Sequence, residues 1–459
     1  MDPNATRQGV LFQALFDRPL TACFDLPHSS SDGGAILLRA ADKRLGLLES
    51  LSGRLVDRRQ PGKVRHDLHE LLSQRVHGLA CGYPDGNDAA RLKADPVHRM
   101  LVGLPPCGDD MLASQATLSR FENSISPTDL YKMGVDLCER VIARHRKRIG
   151  RRCRRITIDL DVTDDATHGA QQLSFFNGFY GSYCYLPLLG FISFDKEPEQ
   201  YLCAAVLRSG NAPTKRGVLG LLRRLLPRLR TAFPRARILV RLDGGFACPE
   251  LFDLMDEEAR VDYVVGMAKN KRVLGLCRGA MRSVRAQARR ERETRKRYGD
   301  GLYQARRWSA PRRVVWKAEV VCLEDRKPKD NPRFLVTNLR GSPRQIYEAI
   351  YCKRGEIENR IKELKYGLAI DRTSCTRFFA NQLRVLLTAA AYALLQELRL
   401  AASGTALARA QVSTMRERML KIGVLVSSSV RRLLFRLPEA FAYRDEWCLI
   451  ARRLGAEPG

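Results

Sequence analysis

No two cysteines in this chain stand three residues apart, although it has 13 of them, an odd number. That excludes the paired thiolates of a zinc module and the even framework of a disulfide-stapled domain. Most of these thiols are expected as small buried hydrophobes in a reducing compartment. Also missing is any run near the roughly 20 apolar residues that cross a bilayer. The longest candidate, around Val385 to Leu395, is interrupted by Thr388 and closes on Gln396 and Glu397. It reads as a buried helix, and no membrane partner is expected. The opening segment MDPNATRQGV lacks the basic-then-apolar order of a secretion leader, so a cytoplasmic protein is expected. There is no internal repeat and no low-complexity linker. Acids are scarce, 50 against 79 Lys and Arg, leaving a formal charge of +29. Such a field attracts polyanions, of which nucleic acid is the commonest in the cytoplasm. A ribosome-associated or otherwise sticky basic protein has the same composition, which by itself says nothing about catalysis.

What is present is a chain of 459 residues, 45% hydrophobic, long enough for two to four packed units. Ala35 to Leu51 and Val64 to Leu79 carry apolar residues at helical spacing. Met111 to Ile125 holds two short helical patterns joined near Ser114, which fits either a DNA-contacting helix-turn-helix or plain bundle packing. A helix over Pro127 to Arg148 runs into Arg144 to Arg155, with eight basic residues and no acid. Then Ile156, Ile158, Leu160 and Val162 alternate with Thr157, Asp159, Asp161 and Thr163, which predicts a strand. Strands are expected at Tyr183 to Phe194, Tyr201 to Arg208, Arg237 to Asp243 and Asp262 to Met267, and helices at Thr214 to Phe233 and Pro249 to Glu258. This order predicts an α/β sheet. Lys271 to Arg313 breaks it with fifteen basic residues against three acids. β-like stretches at Val314 to Cys322 and Arg333 to Asn338 make residues 268–341 a basic β-rich insertion. Helices are expected from Ser342 to the C-terminus.

Asp161 and Asp243 fall at the C-terminal ends of predicted strands, where open α/β sheets gather their ligand sites. Two carboxylates there suit a hard divalent cation, although an Asp at a strand end is more often a turn former. Ser342-Pro343-Arg344-Gln345 has the form of a helix start. Within the helix that follows, Tyr351, Arg354, Glu358 and Lys365 lie at offsets 0, 3, 7 and 14. At about 100° per residue they share an arc of roughly 60°. Ile350, Ile357, Ile361, Leu364 and Leu368 form an adjacent apolar stripe, while Glu348, Glu356 and Glu363 point away from the row. Spacing alone also allows an exposed face with ordinary ion pairs such as Arg354–Glu358.

The pattern Y-x2-R-x3-E-x6-K at Tyr351, Arg354, Glu358 and Lys365 resembles the signature of a large group of DDE-type insertion-sequence transposases. Asp161-Val162-Thr163 and Arg241-Leu242-Asp243-Gly244-Gly245-Phe246 resemble that group's first two catalytic blocks. Ser114 to Asn123 (SQATLSRFEN) is similar to an N-terminal phrase of one branch. The separations agree, 82 residues from Asp161 to Asp243 and 115 from there to Glu358. The resemblance implies an RNase H-like core in which Asp161, Asp243 and Glu358 are catalytic and hold two Mg²⁺ or Mn²⁺ ions. It implies that Tyr351, Arg354 and Lys365 bind DNA, that the partners are terminal inverted repeats and target DNA, and that a homodimer forms on the DNA. It also implies a bacterial protein, nucleoid-associated when bound to DNA. Asp159 shares a sheet face with Asp161; Asp161 is preferred because the family's first Asp precedes a pair ending in Thr. Asp164, Asp165 and His168 are expected to cap the loop or support the site.

The expected architecture is α/β, with residues 1–125 a helical DNA-binding region, 126–267 and 342–400 the two parts of the core, 268–341 the insertion and 401–459 a helical C-terminal region. Two rivals keep the same fold: an RNase H-like repair nuclease, and an inactive transposase-derived DNA-binding protein.

Overall fold

The computed structural model describes residues 10–324 and 326–457. Most of the segment read as lacking a leader, residues 1–9, lies outside the described residues.

Helices precede the sheet. α1 (Leu68–Ala80) starts at Asp67, whose side chain accepts from Glu70 N–H while the Glu70 carboxylate accepts from Asp67 N–H, a reciprocal cap. α2 (Gln115–Ser124) is capped by Ser114 and α3 (Pro127–Ile149) by Ser126. The two helical patterns expected in Met111 to Ile125 give one helix. The Gln74 amide holds both the N–H and the carbonyl of Ala113, at 3.0 Å each, which keeps the residues before Ser114 out of a helix. Arg75 and Glu122, both buried, pair at 2.7 Å and fix α2 against α1. The segment therefore holds one helix rather than two, packed by one face against α1, with Ser119 and Arg120 exposed on the other.

The alternation after Arg154 produces β1 (Arg155–Val162). β2 (Leu188–Phe194) and β3 (Tyr201–Val206) follow as antiparallel neighbours. After α4 (Val218–Ala232), β4 (Arg237–Leu242) and β5 (Val261–Met267) return parallel to β1. Both faces are covered, so the strands are apolar nearly throughout. Ile156, Ile158 and Leu160 share a core with Leu222, Leu225 and Leu229 of α4.

The basic segment does not stand apart from this sheet. After α5 (Arg278–Glu291), β6 (Arg295–Tyr303), β7 (Arg312–Val321) and β8 (Arg333–Thr337) extend it, with β8 antiparallel to β5. The order is β6-β7-β8-β5-β4-β1-β2-β3 within a nine-stranded sheet. The sequence reading missed β6, because its Arg295-Lys296-Arg297 start has no apolar alternation.

From Pro343 to Gly367 the chain is helical throughout, but not uniform. Wide turns at Ile346–Tyr351 and Glu363–Gly367 flank a tight one at Cys352–Gly355 and a regular stretch at Glu356–Lys362. This site helix lies on the face opposite α4. Its Ile346 and Tyr347 pack on Leu239, Val264, Val315 and Leu335. Beside it runs α6 (Phe378–Ala401). α6 is long and apolar enough to cross a membrane, but 83% of its most apolar window is buried inside the protein. It joins Leu189, Phe191 and Leu202 of the sheet to the N-terminal helices in one core. Gln382 accepts from Leu207 N–H and donates to the Ala205 carbonyl; Gln396 accepts from Leu202 N–H and donates to the Gln200 carbonyl. Two amides of α6 thus occupy the free edge of β3.

The all-helical C-terminal region needs correcting. Val424–Ser428 and Leu433–Arg436 pair as a hairpin, and Ser29–Ser30 adds a third strand. The cause is a short period-two pattern: Val424 and Val426 are buried while Ser427 and Ser428 are exposed.

Candidate active site

β1 and β4 are parallel neighbours, so the acids at their ends come together. Asp161 is mostly buried, and its Oδ1 accepts from Val162 N–H at 3.0 Å. Asp243 caps the turn Gly244–Phe246 by accepting from Gly245 N–H at 2.8 Å through Oδ1. Its Oδ2 remains for the site. Gly266, on neighbouring β5, has to be glycine. A Cβ there would lie 2.6 Å from the Gly244 nitrogen and 2.9 Å from the Tyr351 hydroxyl. The absent side chain lets the turn and the site helix close over the strand ends.

The site helix delivers a cation between the two acids. Arg354 Nη2 lies 3.0 Å from Asp161 Oδ1 and 3.8 Å from Asp243 Oδ2. Its Nε is buried without a hydrogen-bond partner among the described residues. Glu358, one turn further on, is exposed and has no hydrogen bond or ion pair among the described residues. Its charge still reaches the site. Burial pushes the Asp161 carboxyl up to about 6; Arg354 and the Val162 N–H oppose this, and Asp243 and Glu358 add to it. Crowded carboxylates that share one arginine keep an excess of negative charge.

Tyr351 is half-buried beside these groups, its hydroxyl raised by burial and by Asp243, with Arg354 opposing. The fourth member of the row is diverted. Lys365 Nζ lies 2.8 Å from Asp164 Oδ1 and 4.0 Å from Asp371 Oδ2. Burial raises Asp164, but Lys365 outweighs it and the carboxyl ends below its ordinary value. Lys365 thus stands on the loop that leaves Asp161, next to the acids rather than among them.

Asp159 is committed elsewhere. Arg241, directly across from it in the register, grips both its oxygens at 2.8 and 2.7 Å, and Gln200 donates to it at 2.9 Å. Asp161 alone of the two faces Arg354 at ion-pair distance. Asp165 is fully buried with the Thr373 hydroxyl 2.9 and 2.8 Å from its oxygens, and burial pushes it up to about 8. His168 is exposed.

Two supporting carboxylates were invisible in the sequence as such. Glu363 is buried among Arg399, Arg360 at 3.1 Å, the Tyr392 hydroxyl at 2.9 Å and the Val412 N–H at 2.7 Å, and so ties the site helix to α6. Glu348 accepts from Lys296, Tyr298 and Arg344 and ties the same helix to β6; these donors lower it to about 2. Periodicity showed only that both point away from the row. Their partners are distant in sequence and carried no signal.

The acids fit a divalent cation by donor chemistry: hard oxygens, an unpaired Glu358 and more negative charge than Arg354 cancels. Another group with metal-ligand atoms within 4.8 Å is buried Asp32, Cys81 and His98. There, however, Asp32 already meets His98 at 2.8 Å and Lys421 at 2.7 Å, so its charge is balanced. That group reads as a junction between the N- and C-terminal regions.

Among solved structures, the chain is similar to a piggyBac transposase synaptic complex with hairpin DNA, covering 93% of this chain and 82% of that one, with 11% identity and a TM-score of 0.44. No curated protein matches this sequence. The family described as Transposase DDE domain group 1 matches residues 12–458, nearly the whole chain, and this protein belongs to that transposase family.

Proposed function

We propose that this transposase cuts and joins DNA at Asp161, Asp243 and Glu358, set on an RNase H-like core. The observation that carries the reading is the meeting of three chain segments at one guanidinium: Arg354 reaches Asp161 and Asp243 while Glu358 stands unpaired beside them. The order β3-β2-β1-β4-β5, antiparallel then parallel, supports the core assignment. Two Mg²⁺ or Mn²⁺ ions held by these acids would activate the attacking oxygen and stabilise the leaving one. Arg354 offsets part of the charge of Asp161 and Asp243 in the protein alone, and its planar fork matches a phosphodiester. Tyr351, packed between Gly266 and Tyr347, presents a ring and hydroxyl to a nucleotide at the cut. Lys365 holds the Asp164 loop and offers a point charge to a flanking phosphate.

The DNA partners are terminal inverted repeats and target DNA, held by two copies of the chain. Affinity rests on the basic segment. Arg278, Arg282 and Arg289 lie along one exposed face of α5, and neither they nor Arg297 on β6 have an acidic partner among the described residues. The direct experiment incubates the purified protein with Mg²⁺ and the DNA that flanks its own gene. Cleavage at the repeats followed by joining to a second duplex is expected. Cleavage without joining would make this a repair-type nuclease, and binding without cleavage an inactive descendant.

A further inference from the structure

From Leu11 to His28 every side chain is exposed. Leu11, Phe12, Leu15, Phe16, Leu20 and Leu26 are each between 42% and 63% accessible. Val10–Phe12 and Leu20–Ala22 pair as a hairpin, and a lone two-stranded hairpin is marginal in water. Six exposed large apolar side chains within one short arm mark a candidate protein contact. The family match starts at residue 12, so the arm belongs to the shared domain. It is also the wrong charge for DNA: Asp17 and Asp25 outnumber Arg18 in a chain of net +29.

A second unfilled surface lies at the far edge of the sheet. A groove of about 500 Å³ runs between α3, β3 and α4. Its lips expose Tyr131, Val206 and Phe379 at 51%, 42% and 45%. Arg216 and Arg224 stand on its rim, exposed and without an acidic partner among the described residues. Because Gln382 and Gln396 occupy backbone groups of β3, the groove offers side-chain contact rather than strand pairing.

We propose that the arm of one copy docks in this groove on a second copy, and the reverse, giving a two-fold dimer. The arm supplies apolar side chains flanked by acids; the groove supplies apolar walls rimmed by arginines. Two bodies of +29 repel each other at long range, so association needs a locally complementary patch, and these two surfaces supply one. Each copy contributes one arm and one groove, and a reciprocal exchange about a two-fold axis leaves neither unfilled. The proposal does not depend on the acidic site, and its test involves no cleavage.

Sedimentation velocity on the full chain without DNA measures it. The wild type is expected to dimerise at micromolar concentration. Asp17→Arg with Asp25→Arg should weaken the dimer at least tenfold, and so should Arg216→Glu with Arg224→Glu. Mixing the two variants should restore dimers, since arginine arms then meet glutamate grooves and aspartate arms meet arginine grooves. A photo-crosslinking residue in place of Phe16 should link to residues of the groove in a second chain. A monomeric wild type, variants that dimerise normally, a mixture that stays monomeric, or crosslinks within one chain would each overturn the proposal. Restoration on mixing also shows that the variants fold.

Discussion

The middle of the central sheet and its β6 end carry opposite charge and do opposite things with it. At the middle, two acids share one arginine, a third stands unpaired beside them, and the group remains under-neutralised. At the β6 end, the segment from Lys271 to Arg313 carries fifteen basic residues and three acids. There, several arginines are spent inside the protein: Arg312 on Asp253 and Asp256, Arg285 on Asp330, Arg295 on Glu291 and Glu293. Others are left over. Few groups held tightly at one place suit chemistry; many groups spread over a surface suit affinity. The two regions can therefore be damaged separately.

The largest effect is expected at the middle. Asp161→Ala, Asp243→Ala and Glu358→Ala should each lower single-turnover cleavage by about a thousandfold or more, because on the proposed role each would remove a metal ligand. DNA affinity measured by fluorescence anisotropy should change by less than about threefold. A tenfold loss of affinity would mean that the two regions are not independent.

Next comes Arg354→Ala. Misplacing the reacting phosphate by an ångström can cost about a hundredfold in rate, and that loss is expected at saturating DNA. Without DNA, the same variant should bind Mn²⁺ more tightly than the wild type in a calorimetric titration, since the guanidinium between Asp161 and Asp243 competes for the same charge. Unchanged Mn²⁺ affinity would show that Arg354 does not occupy the ion's place.

At the β6 end, Arg278, Arg282, Arg289 and Arg297 are four of the cations without an acidic partner among the described residues, and the ones to remove. Each phosphate contact contributes about 0.9 to the slope of log affinity against log salt. Replacing all four by Ala should flatten that slope by roughly 3 to 4 and leave cleavage at saturation near wild type. Arg290 and Arg295, already paired with Glu291, should contribute little.

The smallest effect concerns the support of the middle. Asp165 is held near 8, above its ordinary 3.8, by burial. Its carboxyl stays protonated in the folded protein while the unfolded chain ionises. Stability conferred by the protonated form is present in acid and lost as pH rises toward 8. Asp165→Asn removes that loss. In urea melts with EDTA, its stability relative to wild type should rise by roughly 1 kcal/mol per pH unit between pH 5 and 8 and then level off. A constant difference would mean that Asp165 ionises normally.

The acids were readable because strand alternation and a four-position helical row both leave a periodic mark. Asp161 over Asp159 could be chosen from the sequence only by resemblance; the physical reason is Arg241, which faces Asp159 across the register. The expected row assumed a uniform helix. Its wide and tight turns change the angle per residue, and Lys365 ends on Asp164. The hairpin at Val424–Ser428 was too short for its alternation to stand out, and β6 had none.

The two glutamines of α6 have a mechanical consequence. Gln382 and Gln396 lie fourteen residues apart, about 21 Å along a helix, and each grips a different stretch of β3. The helix is pinned at two points like a ruler against a straight edge, so it can neither slide by a turn nor pivot. Between and beyond those pins it carries Tyr392 and Arg399, which hold Glu363 of the site helix. The position of Glu358 is thus referenced, through one rigid rod, to the strand at the opposite edge of the sheet from the unpaired arginines of α5 and β6. A load applied at the β6 end meets a site whose acidic helix is anchored from the other side.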